Sequence, residues 1–79
     1  MSKIVKEKLI NYISMIMDID VEEIDEEMDL IKDLGMDSLE VVEMICYLEK
    51  EFKAKIKFNN AGGQVYTIKY VVDSIVSLL

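Results

Sequence analysis

The side chains able to do chemistry in this chain are few, and among them the hydroxyl of Ser38 stands at the start of a predicted helix. The sequence has no histidine and a single cysteine, Cys46. A nucleophile activated by histidine is therefore excluded, and so is a zinc site of histidine and cysteine. Carboxylates are abundant, but they form a charged run without a recognisable apolar cleft. We therefore predict that the chain is not an enzyme.

The acidic run before Ser38 has only a superficial likeness to a calcium loop. Asp18, Asp20 and Glu22 fall on alternate positions, as the ligands of such loops do. Glu23 stands where the sharp turn needs glycine, and Asp29 stands where a bidentate glutamate is expected. We predict no metal site and interpret the run as a solvated acidic surface.

Ser38 lies at the junction between a glycine-containing turn and a helix. The stretch from Asp33 to Leu39 reads Asp-Leu-Gly-Met-Asp-Ser-Leu. Asp37 is the predicted N-cap and Glu40 completes a capping box, which leaves the Ser38 hydroxyl free. A phosphodiester on that hydroxyl would lie beside helix N-terminal N–H groups, which favour phosphate. Ser38 is thus either a covalent attachment point or an ordinary helix-start serine.

The helix that presents Ser38 is predicted over residues 38–53 and carries two apolar faces. At about 100° per residue, one face holds the predicted core residues Val41, Met44, Ile45, Leu48 and Phe52. The opposite side holds Leu39, Val42 and Cys46, flanked by Glu43, Lys50 and Lys53. An apolar strip rimmed by charge predicts a docking surface for another protein. The alternatives are that a neighbouring segment covers the strip or that the pattern arises by chance.

Three helices and one long acidic connection are predicted in total. Apolar residues three and four apart predict further helices over residues 3–17 and 67–79, with Ser2 and Thr67 as caps. A short helix is predicted near Val21–Asp25, and residues 54–66 stay unassigned around a turn signal. Apolar residues within the connection predict that it packs on the core: Ile19, Val21, Ile24, Met28, Leu30, Ile31 and Leu34.

Length and composition indicate one small domain over residues 1–79. Hydrophobic residues make up 52% of the chain, which is enough to build a modest core. One cysteine permits no internal disulfide and fits a reducing compartment. No secretion signal or apolar span long enough for a bilayer is visible in the sequence. We therefore predict a cytoplasmic protein without membrane insertion.

The formal net charge of -7 is concentrated in the middle of the chain. Residues 18–43 hold twelve of the 16 acids and one lysine, Lys32. This distribution argues against nucleic acids and anionic membrane surfaces as partners. It would attract proteins that carry basic patches and speed their encounter with this chain.

The residues around Ser38 resemble those of the acyl carrier protein family. The resemblance rests on Asp33-Leu34-Gly35-Met36-Asp37-Ser38-Leu39-Glu40, followed by Val42-Glu43 and Leu48-Glu49-Lys50-Glu51-Phe52. It covers residues 3–53 well and the last helix in outline. It implies an all-α fold, an antiparallel four-helix bundle with three main helices, one short helix and a long loop between the first two.

The resemblance also implies what Ser38 and its neighbours do. Ser38 would carry covalent 4′-phosphopantetheine, taken from coenzyme A by a phosphopantetheinyl transferase, with Asp37 flanking it. The thiol of that arm would hold an acyl group as a thioester. The implied docking residues for the transferase and for acyl-processing synthase enzymes with basic patches are Leu39, Glu40, Val42, Glu43, Cys46 and Glu49. The implied lining of an acyl cavity is Val41, Ile45, Leu48, Ile56, Ala61 and Ile75. The chain would act as a monomer.

The segment after the Ser38 helix departs from the family pattern. Carriers of the main fatty acid pathway typically have Ile-Pro-Asp and acids here, whereas this chain reads Lys55-Ile56-Lys57-Phe58-Asn59-Asn60. Lys50 also interrupts the usual acidic run. The implied function is carriage of acyl groups for fatty acid, related lipid or polyketide biosynthesis. The alternatives are an aminoacyl or peptidyl carrier, and a small acidic helical adaptor that carries nothing.

Overall fold

The computed structural model describes residues 2–55 and 67–79, which form three α-helices and one short 3-10 helix. The elements are α1 (Ser2–Met17), the 3-10 helix (Val21–Glu23), α2 (Ser38–Phe52) and α3 (Ile68–Val76). The described ranges contain no strand, and Asp29 and Thr67 form one isolated bridge. The predicted all-α class, the short helix and the long loop before α2 are confirmed. The predicted four-helix bundle lies partly outside the described residues. The predicted cavity positions Ile56 and Ala61 lie wholly outside them.

The helix ends differ slightly from the predicted bounds. α1 begins at Ser2, so Ser2 lies inside the helix rather than capping it. Thr67 caps α3 as predicted, through its side-chain oxygen and the Tyr70 N–H. α3 stops at Val76 because the last N–H groups bond three residues back, Leu78 to Ile75 and Leu79 to Val76. This tighter turn ends an α-helix.

The core draws apolar side chains from all three helices and from the long loop. Its buried members are Val5, Leu9, Ile10, Ile13, Ile24, Leu30, Leu34, Met36, Val41, Met44, Leu48, Ile68, Val71, Val72 and Ile75. Three of the predicted cavity positions (Val41, Leu48 and Ile75) are buried here, and Ile45 is half-buried. Their role toward an acyl chain stays a prediction.

α1 and α2 pack antiparallel. Lys8 pairs with Glu51 across 3.0 Å, and the rings of Tyr12 and Tyr47 stack with centroids 4.6 Å apart. Residues further along α1 therefore contact residues earlier in α2. This places the last turn of α1 beside the first turns of α2, where Ser38 lies.

The loop before α2 is tied to the start of α3 by backbone bonds. The N–H of Ile68 donates to the Met28 carbonyl (3.2 Å), and that of Lys69 donates to the Glu26 carbonyl (2.8 Å). These bonds satisfy donors that the first turn of a helix leaves without partners. The prediction that this loop packs on the core is confirmed at Ile24, Leu30 and Leu34.

Two apolar residues of that loop do not reach the core. Val21 and Ile31 remain 47% and 46% exposed. Both lie in single helical turns, and one turn can press only one of its sides against the core. The expectation of burial was wrong for these two positions.

Asp29 holds the turn that leads toward Ser38. It is 8% exposed, and its Oδ1 accepts the N–H groups of Ile31 and Lys32, each at 2.8 Å. Its own N–H donates to the Asp33 carboxylate at 2.7 Å. A buried carboxylate satisfied in this way fixes the local backbone. Sequence reasoning counted Asp29 as part of the solvated run and missed this role.

Replacing Asp29 tests the strength of that turn. We expect Asp29→Ala to lower the free energy of unfolding by about 1–3 kcal/mol, because the backbone N–H groups of Ile31 and Lys32 lose their acceptor. Asp29→Asn should cost less, since its amide oxygen can still accept. Urea unfolding followed by circular dichroism measures both variants. The exposed Glu27→Ala is the control and should stay within about 0.5 kcal/mol of the wild type. An Asp29→Ala variant as stable as this control would contradict the assigned role.

Candidate functional site

The turn before Ser38 is anchored by alternate residues. Leu34 and Met36 are buried, at 5% and 1% exposed. The N–H of Met36 donates to the Leu30 carbonyl at 3.0 Å, which closes the turn. Sequence reasoning did not single out Met36. Its alternation with Leu34 across Gly35 is the signal that would have placed it inside.

Gly35 is required by backbone conformation rather than by space. Its φ is +77°, in the left-handed region, and a Cβ there would meet only the Met17 methyl, at 4.0 Å. A side chain at this φ costs about 1–2 kcal/mol. The glycine therefore lets the chain reverse sharply between its two buried anchors, Leu34 and Met36, just before the start of α2.

The capping box predicted at the start of α2 is confirmed. The Asp37 Oδ1 accepts the Glu40 N–H at 2.7 Å, and the Glu40 Oε1 accepts the Asp37 N–H at 3.1 Å. Each residue thus satisfies the other's backbone donor. Asp37 does the capping, so Ser38 occupies the first helical position with no capping duty.

The Ser38 side chain is exposed, and its hydroxyl bonds to none of residues 2–55 and 67–79. Three other serine hydroxyls each donate to a carbonyl: Ser14 to Ile19, Ser74 to Tyr70, and Ser77 to Ser74. An exposed hydroxyl without a partner is accessible to a modifying enzyme.

The first turn of α2 fits a phosphate group on Ser38. The backbone N–H groups of Ser38 and Leu39 find no acceptor within the described part of the chain. They lie at the positive end of the helix dipole, where phosphate oxygens bind favourably. The capping carboxylates of Asp37 and Glu40 already accept N–H groups. A phosphodiester on Ser38 would therefore meet two free donors.

The predicted docking strip is open to solvent. We define it as Leu39, Val42 and Cys46, of which Leu39 is 64% and Val42 54% exposed, and Cys46 is also exposed. The opposite face buries Val41, Met44 and Leu48, as predicted. The interpretation in which a neighbouring segment covers the strip is therefore wrong.

The three predicted docking acids differ in their surroundings. Glu43 is exposed beside the docking strip. Glu40 is half-buried and holds the capping box. Glu49 is half-buried and lies on the edge of the docking strip opposite to Glu43. Glu43 is consequently the acid best placed to meet a partner without disturbing the helix.

Tyr12 of α1 supports the side of α2 next to the docking strip. Its ring stacks on Tyr47 at an interplanar angle of 21°. Burial raises the pKa of the Tyr12 hydroxyl above 10.0, and the negative charges of Glu43 and Glu40 raise it further. The residue pattern of α1 did not indicate this contact between Tyr12 and α2. The stacked pair limits how α2 can shift against α1.

No helix among the described residues combines the length and apolar character needed to cross a bilayer. In the same residues, no three or more His, Cys, Asp or Glu side chains are grouped to hold a metal ion.

Comparison with known proteins bears on the segment around Ser38. Residues 7–61 match the family described as Phosphopantetheine attachment site. An acyl carrier protein of Trieres chinensis is 43% identical over 49 residues, which are 62% of this chain and 60% of the relative. One of Saccharopolyspora erythraea is 38% identical over 61 residues, 77% and 63% of the two chains. One of Chlorobium phaeobacteroides is 36% identical over 72 residues, 91% of each chain.

The extent of these matches differs among the relatives. This chain spans less than two thirds of the first two relatives and nearly all of the third.

The raised pKa of Tyr12 predicts how stability changes in alkali. A group whose pKa is higher in the folded state stabilises the fold below its unfolded value of 10.0. That contribution is lost as pH rises through the folded pKa. We expect the Tyr12 hydroxyl to ionise above pH 10.0, seen as a late phase of tyrosinate absorbance. Tyr12→Phe should remove this late phase. A late phase that persists in Tyr12→Phe would contradict the assignment.

Proposed function

Because this chain belongs to the acyl carrier protein family, with its phosphopantetheine attachment site, we propose that it carries acyl groups on a 4′-phosphopantetheine arm attached to Ser38. When attached, this group supplies a long flexible arm whose terminal thiol holds the acyl group as a thioester. The protein is then a carrier and not an enzyme. The observation that supports Ser38 is its exposed, unbonded hydroxyl at the capped start of α2.

The chain's own residues prepare Ser38 for another enzyme. Its oxygen would displace the nucleotide half of coenzyme A at phosphorus, and the serine proton would pass to a base of the transferase. The chain has no histidine to take that proton. The N–H groups of Ser38 and Leu39 would then donate to the phosphate oxygens. A base supplied by the partner enzyme fits a substrate role for this chain.

The surroundings of Ser38 favour partners with basic patches. Glu43 and the acidic run before α2 give this side of the molecule a negative field that speeds such encounters. The docking strip offers exposed apolar area for the same contact. We propose the phosphopantetheinyl transferase and acyl-processing synthase enzymes as partners, in fatty acid or related lipid or polyketide biosynthesis. The relatives are acyl carrier proteins by name, which supports acyl rather than aminoacyl cargo.

The proposal includes the wider setting of the molecule. We propose a monomeric carrier that works in the cytoplasm, where one unpaired cysteine stays reduced. The four-helix bundle implied by the family resemblance is part of the same proposal.

Modification in vitro tests the attachment point. We expect incubation with coenzyme A and a broad-specificity phosphopantetheinyl transferase to add one phosphopantetheine group, seen by intact mass. Ser38→Ala should abolish the gain because the attacking oxygen is removed. Ser2→Ala is the matched control, since Ser2 is also an exposed serine in the first turn of a helix. It should be modified like the wild type.

Two results would contradict the attachment proposal. One is an unmodified wild-type chain under conditions that fully modify a known carrier. The other is a gain of mass that survives in Ser38→Ala.

Charge reversal at Glu43 tests the docking proposal. We expect Glu43→Lys to lower the transferase's kcat/KM roughly threefold to tenfold at low salt, because attraction to a basic patch becomes repulsion. The loss should shrink as salt rises. Glu43 is preferable to Glu40, whose replacement would also break the capping box.

Glu7→Lys is the control for Glu43→Lys, because it makes the same change at an exposed acid of α1, outside the acidic run before α2. Equal losses in the two variants, or no loss in Glu43→Lys, would show that docking does not use this part of α2.

A further inference from the structure

The docking strip continues into lysines that the acidic docking proposal does not explain. Counted at about 100° per residue, Lys50 and Lys53 lie on the same side of α2 as Leu39 and Cys46. Both lysines are exposed, and the exposed Lys55 follows. None of the three forms an ion pair with a residue in 2–55 or 67–79. Their charges therefore face solvent along the line of the proposed docking surface.

The negative end of this surface, at Glu43, and its positive end, at Lys50 and Lys53, are far enough apart for a partner to interact with each separately. Lys50 lies seven residues after Glu43 and Lys53 lies ten, which corresponds to about 10 and 15 Å along the helix axis. The screening length at physiological ionic strength is about 8 Å. A partner lying along α2 thus meets negative charge near Ser38 and positive charge at the far end.

The backbone at the end of α2 shapes the positive end. Lys53 adopts the left-handed conformation, with φ 50° and ψ 44°, and the Ala54 N–H donates to the Glu49 carbonyl. This closure gathers Lys50, Lys53 and Lys55 around a shallow surface depression, which Glu49 and Ala54 also line. A carboxylate side chain of a partner would meet three lysines and one glutamate in this depression.

We infer that α2 presents a dipolar docking surface, made for an acyl-processing enzyme with basic side chains opposite Glu43 and acidic side chains opposite Lys50 and Lys53. This inference rests on the proposed carrier function and adds a selectivity to it. An entirely basic patch is attracted at one end and repelled at the other. The lysines therefore select against such enzymes and fix the direction in which the matching one lies on α2.

Two other occupants fit the observations less well. A second copy could pair its α2 in the opposite direction, but the 15-residue helix offers a strip of only about 22 by 10 Å. That area is well short of the roughly 800 Å² per partner of a stable interface. Each copy also carries a net charge of -7, which opposes self-association and binding to anionic membranes.

The helix dipole offers an explanation without a partner. Acids near the start and lysines near the end stabilise any helix through its dipole. Reversing the lysines would then lower thermal stability and leave docking unchanged. Docking kinetics separate the two explanations, because the dipole explanation predicts no change in them.

The test uses a phosphopantetheinyl transferase with a basic docking patch, and coenzyme A, as the probe. We expect the Lys50→Glu, Lys53→Glu double variant to be modified with at least about threefold higher kcat/KM at low salt, mainly through a lower KM. Its rate should also fall more steeply with salt than that of the wild type.

The control is the Lys3→Glu, Lys69→Glu double variant, which makes the same charge change at exposed sites on α1 and α3. Little acceleration in this control supports the inference, since total charge alone would affect both pairs alike.

Four results would overturn the inference. Two are kinetic: unchanged kcat/KM in the Lys50→Glu, Lys53→Glu variant, or an equal gain in the control variant. The other two concern different occupants: the wild type forms dimers, or binds phosphatidylserine vesicles, and the Lys50→Glu, Lys53→Glu variant does not. These results leave the carrier function standing, provided the wild type is modified at Ser38. A wild type that takes no group from coenzyme A removes the proposed function and the dipolar surface together.

Discussion

The reciprocal bonds between Asp37 and Glu40 are the constraint on which the rest of the site depends. They satisfy the start of α2 without using Ser38. A serine at the capping position itself would spend its oxygen on a backbone N–H. Placed one residue later, Ser38 keeps a free hydroxyl and lies beside two backbone donors suited to phosphate. One local hydrogen-bond pattern thus separates the structural role from the chemical one.

That capping box is useful only because the chain on either side of it is held in place. Before it, Asp29 and Met36 bury the turn and Gly35 supplies the reversal. After it, the core face of α2 packs inward, and Tyr12 stacks on Tyr47 from α1. The exposed side of α2 is therefore presented on a rigid support. Such a surface can bind several enzymes in turn without reorganising.

What could be predicted from the sequence was mostly local. The bounds of α2, its capping box and its two faces follow from residue spacing and cap chemistry, which act within one or two turns. The burial of Met36 could have been predicted from its alternation with Leu34, whereas that of Asp29, which bridges to Thr67, depends on a segment far away in the chain that composition could not indicate. The exposure of Val21 and Ile31 was mispredicted for the same reason, since apolar character alone does not say which side of a turn meets the core.

We propose that Ser38, and no other serine, is the attachment point for an acyl-carrying arm. Fragmentation mass spectrometry of the protein isolated from its own cells tests this most directly, since it locates the group and identifies its cargo together. We expect an acylated phosphopantetheine on the peptide that contains Ser38. The peptides that contain Ser2, Ser14, Ser74 and Ser77 should be unmodified. A native protein unmodified at Ser38, or carrying the group on another residue, would contradict it.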